Sequence, residues 1–187
     1  MAKKKLFDEI PHLENDWIAL TRLTSTDVDT LRELVENDNV YRHLPTYLFE
    51  KSCEDLDEMI RRLYDECFAA KESLILGIHL KNPDNGSLGE LCGLAEFYGY
   101  KDHLHKISIG YRLLQRYWGQ GIATKTVALM VDYLYSQTDI EIITASTMVE
   151  NAASARVLEK NDFIQTARAV EEDWGFDQPT LADKWFC

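Results

Sequence analysis

Several things are scarce in this sequence, and each shortage excludes a class of protein. No apolar run approaches the roughly 20 residues of a membrane-spanning helix. None of signal-peptide length follows the basic start Met1–Lys5 either. Cysteine is scarce and scattered, with four in all (Cys53, Cys67, Cys92 and Cys187), no Cys-x-x-Cys pair and no His/Cys cluster at metal-ligand spacing. The expectation is a cytoplasmic protein with reduced thiols, no membrane association and no metal, Cys67 and Cys92 serving as small core residues. Positive charge is short as well. Lysine and arginine number 20 against 32 acidic residues, a net charge of −12, which argues against binding a phosphate backbone through a basic face. No nucleic-acid partner is expected. A free polyamine or a basic peptide is electrostatically welcome, although a solvated acidic surface is the plainer explanation. Repeats, low-complexity tracts and linkers are missing too. What is left, 187 residues of which 45% are hydrophobic, suits a single folded domain over 1–187, with 1–15 as an arm of little periodicity.

The informative stretch runs from Lys106 to Ser136. Ile107, Ile109, Tyr111 and Leu113 alternate with Ser108, Gly110 and Arg112, the pattern of a strand with one buried face. Gly119 and Gly121 follow after a short loop. Ala123, Val127, Met130, Val131 and Leu134 then recur at helical spacing. A glycine loop that opens a helix leaves backbone N–H groups pointing outward at the positive end of the helix dipole, a ready site for a phosphate-bearing ligand. The Walker spacing Gly-x-x-x-x-Gly-Lys-Ser/Thr does not occur. The dinucleotide fingerprint fails at its third glycine, which is Thr124, and its acid would be Glu141, at the start of the next strand instead of the end. Arg-x-x-Gly-x-Gly, Arg116 to Gly121, remains. By itself it is also compatible with an ordinary strand-to-helix turn.

The rest of the chain supplies context. Trp17–Leu23 reads as a first strand. Thr26 with Asp29 fits a cap for a helix whose face is Val28, Leu31, Leu34 and Val35. Asn37–Tyr47 is irregular. Ser52 with Asp55 caps a second helix, striped by Leu56, Met59, Ile60, Leu63, Tyr64, Cys67 and Phe68. Leu74–Leu80 and Leu91–Tyr98, separated by a turn with Pro83, Asn85 and Gly86, read as a hairpin. After the central unit come a strand over Ile140–Thr147, a short helix over Ala152–Lys160 capped by Asn151, and a strand from Phe163. An acidic, aromatic loop over Glu171–Gln178 and a last strand over Leu181–Phe186 complete it. The order β, α, α, β, β, β, α, β, α, β, β gives an α/β (α+β) fold: an antiparallel hairpin feeding a βαβ crossover, with helices on both faces of a mixed sheet.

Two stretches and the hairpin before them resemble the GNAT superfamily of N-acetyltransferases. The first is Ile109-Gly110-Tyr111-Arg112-Leu113 running into Tyr117-Trp118-Gly119-Gln120-Gly121-Ile122-Ala123-Thr124. The second is Glu150-Asn151-Ala152-Ala153-Ser154-Ala155-Arg156-Val157-Leu158-Glu159-Lys160-Asn161-Asp162-Phe163. The likeness covers the chain from about Trp17 onward and is greatest to the ribosomal-protein N-terminal acetyltransferase (RimJ/RimL-type) branch. It implies the GNAT acyl-coenzyme A N-acyltransferase fold, with a mostly antiparallel sheet of about seven strands. It also implies acetyl-coenzyme A (acetyl-CoA) as cofactor, held between the strand ending at Leu113 and Leu114 and the strand Ile140–Thr147. Arg116, Trp118, Gly119, Gln120, Gly121, Ile122, Ala123 and Thr124 would form the pyrophosphate loop. Asn151 and Ser154 would touch the pantetheine arm near its thiol.

The reaction so implied is direct transfer of acetyl from the thioester to a primary amine of a protein N-terminus, a polyamine or another small amine, by a monomer or homodimer. An α-amino group has a pKa of about 8 and a lysine amine about 10.4, so a proton must be removed first. Glu96, on the hairpin strand beside Cys92, Leu94 and Tyr98, is the candidate base; an exposed strand carboxylate is the alternative. A backbone N–H near Leu113 or Leu114 would meet the carbonyl oxygen as charge develops on it. Many relatives carry a tyrosine donor in the late helix where this chain has Leu158, and Ser154 is the candidate donor here, a locally bonded helix serine being the alternative. The chain departs from the branch at Ser108, where many members have glutamate, and at Asp162, where glycine is usual. An acyl-CoA-binding module of the same fold without catalysis is the competing class. The acceptor site would draw on Tyr41, His43, Tyr47, Trp174 and Phe176 with Glu171, Glu172, Asp173 and Asp177, an acidic and aromatic lining suited to a cation.

Overall fold

The computed structural model describes residues 3–46 and 48–187. Tyr47, expected at the acceptor site, lies outside them. Among the described residues eight strands form one sheet in the order β1-β2-β3-β4-β5-β6-β8-β7, against about seven expected. The additional strand is β1 (Leu13–Glu14), too short to show a period, inside the segment expected to be an arm. It pairs with β2 (Ile18–Thr21), Leu13 opposite Leu20. The arm residues Leu6 and Phe7 are buried, and Phe7 packs on Phe68 and Tyr100 at ring separations of 5.3 and 5.1 Å.

Helix starts follow local hydrogen bonding more closely than apolar spacing. Before α1 (Val28–Glu36) the chain turns at Thr24, whose N–H donates to Asp27 Oδ2 at 2.8 Å, two residues ahead of the expected Thr26 and Asp29. Asn37 caps a four-residue helix, α2 (Asp38–Tyr41), inside the stretch expected to be irregular. The N-cap of α3 (Leu56–Arg62) is Asp55, accepting from Glu58 N–H at 3.1 Å, while Ser52 turns its hydroxyl to Phe49 O. The apolar stripe continues beyond α3, but Leu63–Phe68 widens to π-helical hydrogen bonding.

The hairpin strands β3 (Ser73–Lys81) and β4 (Leu88–Lys101) are buried on both faces along much of their length, as a sheet covered by helices requires. Phe97 on one face of β4 meets Tyr133 of α4 (Ile122–Gln137), centroids 6.4 Å apart. The opposite face carries Glu96 and turns toward the N-terminal helices. β5 (Lys106–Leu113) pairs antiparallel with β4 and parallel with β6 (Ile142–Met148). α5 (Ala152–Glu159), β7 (Ile164–Glu172) and β8 (Thr180–Phe186) follow. At the turn into β7, Asp162 holds φ +62°, the left-handed conformation that favours glycine, so the departure noted there is taken up as backbone strain. No helix among the described residues is long and apolar enough to cross a membrane, and all four cysteines are free.

Candidate active site

The site begins where β5 and β6 stop being partners. They pair only from Lys106–Ile142 to Ser108–Thr144, and a hydroxyl–hydroxyl bond of 2.8 Å between Ser108 and Thr144 marks the last rung. Beyond it β5 continues beside β4 alone. Backbone alternation decides which amides face the fork. Leu114 N–H donates to Cys92 O at 2.9 Å, on the β4 side, so it is unavailable to a ligand in the fork. Leu113 points the other way, its carbonyl accepting from Trp118 Nε1 at 2.9 Å. Of the two amides expected to meet a carbonyl oxygen, only Leu113 faces the opening.

The turn after β5 brings α4 to the same place. Gly119 and Gly121 hold φ +74° and +77°, and Gly121 is the N-cap of α4 with no side-chain cap. A Cβ at Gly119 would find nothing within 4 Å, so the backbone there is open to a ligand. The first N–H groups of a helix have no partner within it. At α4 these belong to Ile122, Ala123 and Thr124, aimed at the fork with the positive end of the dipole. The cradle fits a pyrophosphate.

A cleft of about 1290 Å³ runs through the fork, lined by Glu96, Leu113, Trp118, Gly119, Gly121, Ile122, Ala123, Thr124, Asn151 and Ser154. Three residues expected to hold the cofactor are elsewhere. The guanidinium of Arg116 is taken by Glu33 and Glu90 on the surface. Gln120 donates from Nε2 to Arg116 O at 2.8 Å. The Leu114 side chain lies in the core.

On one side of the sheet, Asn151 caps α5 by accepting from Ser154 N–H at 3.2 Å. The Ser154 hydroxyl accepts from Tyr111 OH at 3.3 Å. Burial pushes the Tyr111 phenol above its ordinary range, and the bond to Ser154 pulls it partly back, so it stays protonated near neutrality. Leu158, where relatives carry the tyrosine, is core.

On the other side stands an ion cluster. Glu96 does not sit alone among Cys92, Leu94 and Tyr98. Its Oε2 accepts from Arg112 Nη1 at 2.9 Å. Gly110 lies directly across from Glu96 and Leu94 across from Arg112, so the two charged side chains meet on the diagonal, over a residue with no side chain. Arg112 also pairs through Nε with Glu50, and Glu50 accepts from Tyr41 OH at 3.1 Å. The Arg112 and Glu50 side chains are 2% and 1% exposed, that of Glu96 18%. Burial opposes the charge of Arg112, but Glu50 and Glu96 outweigh it and hold the guanidinium above its ordinary pKa. Burial and then the Glu50 charge likewise keep Tyr41 protonated.

The far mouth is made by residues of the expected acceptor set. Thr46 N–H and hydroxyl both donate to Trp174 O, at 2.9 and 3.1 Å, strapping the loop after α2 to the loop after β7. His43 Nδ1 lies 3.8 Å from Glu150 Oε1, and His43, Glu172 and Trp174 line the cleft. Tyr41, Glu171, Asp173, Phe176 and Asp177 do not. Sequence reasoning gave no role to Tyr111, Arg112 or Glu50. A signal existed for one of them: an arginine in a strand covered on both faces needs carboxylates to meet it.

A family model described as an acetyltransferase (GNAT) domain matches residues 18–164. The chain belongs to the GNAT acetyltransferase family and is an N-acetyltransferase. It is 27% identical over 157 residues, 82% of each chain, to the uncharacterized N-acetyltransferase YoaA of Bacillus subtilis. Among solved structures, it superposes on the spermidine N-acetyltransferase of Vibrio cholerae, determined with CoA and spermine. The TM-score is 0.72 at 17% identity, over 92% of this chain and 96% of that one. RimL, a ribosomal alpha-N-protein acetyltransferase in complex with coenzyme A, gives a TM-score of 0.76 at 15% identity, over 95% and 97% of the two chains. At such identities the likeness is one of fold.

Proposed function

We propose that the enzyme moves acetyl from acetyl-CoA directly to a primary amine, in the manner of the RimJ/RimL-type branch. The observation that carries this reading is the fork between β5 and β6 with the uncapped N-terminus of α4 aimed into it. Acetyl-CoA supplies the thioester carbon that the amine attacks. Backbone amides of Gly119, Gly121, Ile122 and Ala123 hold the pyrophosphate, with Thr124 beside them, and Trp118 closes over the Leu113 carbonyl. Leu113 N–H meets the carbonyl oxygen as charge gathers there. Glu96 takes the proton from the acceptor ammonium, leaving the neutral amine to attack. As the carbon–sulfur bond breaks, the electron pair leaves on sulfur, the remaining extra proton on the new amide nitrogen is released to solvent, and Ser154 hydrogen-bonds to the sulfur with Tyr111 donating to Ser154 behind it. The acceptor enters between His43 and Trp174 past Glu172. The Trp174 ring offers a favourable face to a cation, which suits a protonated acceptor amine: a protein N-terminus, a polyamine or another small amine. The free thiols agree with a cytoplasmic setting.

Thiol release from acetyl-CoA, followed across a panel of N-terminal peptides, polyamines and small amines, tests the proposal. Turnover with at least one class is expected, together with thermal stabilisation by acetyl-CoA and none by NAD. Stabilisation by NAD in place of acetyl-CoA would reject it.

A further inference from the structure

Proton transfer to Glu96 must end in a tolerable charge state, and the cluster around Glu96 determines whether it does. Arg112 is one positive charge, fixed by Glu50 and Glu96, both within ion-pair reach. Glu50 and Glu96 are two negative charges. Tyr41, the hydroxyl donor to Glu50, stays neutral. The cluster therefore carries one negative charge in excess, most of it away from water. After Glu96 accepts a proton the excess is gone and the group is neutral. A simple Glu96–Arg112 pair would behave the opposite way. It would begin neutral and end as a lone guanidinium in a buried setting, a state that burial penalises heavily. Of the other charged groups on the cleft, Glu172 is paired to Lys184 and His43 faces Glu150, while Arg42, Lys106, Arg156 and Lys160 make none of the ion pairs of the Glu96 cluster.

We infer that Glu50 is a positioning residue that acts through Arg112: its buried carboxylate supplies the second negative charge that lets Glu96 accept the acceptor's proton. Glu50 does not line the cleft. It lies in the short helical turn Phe49–Ser52, just after the acceptor-side loop, so the same ion pair ties that turn to β5, the strand beside the one that carries Glu96. The cost of burying Glu50 thus has a return in chemistry as well as in packing. The inference rests on Glu96 being the base, and the test separates the two.

Steady-state turnover, acetyl-CoA affinity and melting temperature are compared for wild type, Glu96→Gln, Glu50→Gln, Glu50→Gln/Glu96→Gln and Glu50→Gln/Arg112→Met. Glu50→Gln is expected to lower kcat by at least about tenfold with acetyl-CoA affinity within about twofold, a share of the 10²- to 10⁴-fold effect of a general base. In the Glu96→Gln background it should cost nothing further, because the two act as one unit. Removing Arg112 along with Glu50 leaves Glu96 as the single negative charge, so that double variant should turn over faster than Glu50→Gln alone. A Glu50→Gln enzyme within twofold of wild type, an equal loss in both backgrounds, or a double variant slower than Glu50→Gln would overturn the inference. If Glu50→Gln does not melt cooperatively, the Arg112→Met double variant is compared with Glu96→Gln. Faster turnover supports the inference and equal turnover rejects it. Full activity of Glu96→Gln would instead remove the base assignment on which it rests.

Discussion

The two ends of the cleft are built from different materials. The α4 end uses backbone: two glycines at positive φ, an uncapped helix start and a strand amide. Its charged neighbour Arg116 has been turned outward onto Glu33 and Glu90. The β4 end uses side chains: a buried guanidinium, two carboxylates and a tyrosine. Backbone donors suit a ligand part that is chemically constant, since they vary little with sequence. Side-chain charges suit proton transfer, because their balance can change during a reaction. The comparison implies that substitutions at one end should alter affinity for the donor and those at the other should alter turnover.

The largest expected effect is at the side-chain end. Glu96→Gln should cut kcat roughly 10²- to 10⁴-fold while calorimetry shows acetyl-CoA binding unchanged. A loss confined to KM would place Glu96 in binding instead. Next is Gly121→Val. The left-handed φ strains any β-branched residue, and its Cβ would meet only Lys125 Nζ, at 3.7 Å, so the fold should melt lower but cooperatively. The added side chain keeps the pyrophosphate off the amides, and acetyl-CoA affinity should fall at least about tenfold.

A loss smaller than that of Glu96→Gln, and in turnover instead of affinity, is expected at Ser154, between the two ends. A neutral donor to a developing thiolate contributes about 1.5–3 kcal/mol, so Ser154→Ala should slow transfer roughly tenfold to a hundredfold with little change in affinity. The loss should shrink with a more acidic leaving thiol. An equal loss for good and poor leaving groups would make Ser154 a positioning group for the cofactor. Smallest is Asn151→Ala, which removes the cap of α5 and should cost about 1 kcal/mol of stability, read by denaturant unfolding. A greater effect on kcat than on stability would show that Asn151 touches the reacting end.

How much of this could be read beforehand follows the range of the interactions. Asn151 caps α5 through a bond that reaches only to Ser154, and it was legible. The glycine turn and α4 were legible because conformation and period are local. The succession of strands and helices followed from the alternation of elements, save for β1, which has only two residues, and the four-residue α2, whereas the place of β8 between β6 and β7 did not. Glu96 was legible as a carboxylate on an inner strand, but its setting was not. Arg112 is on another strand, and Glu50 is in a turn after α2, brought together only by register and by the packing of the N-terminal helices. Arg116 shows the converse. Its spacing to Gly119 and Gly121 resembles the family loop, yet its partners Glu33 and Glu90, distant in sequence, pull it away. Leu113 and Leu114 were equivalent in sequence, and only the pairing of Leu114 with Cys92 separates them.

The most direct test of this division is one calorimetric series, with acetyl-CoA titrated into wild type, Gly121→Val and Glu96→Gln. The account predicts that wild type and Glu96→Gln bind alike while Gly121→Val loses most of its affinity. Wild-type affinity in Gly121→Val, or a matching loss in Glu96→Gln, would contradict it.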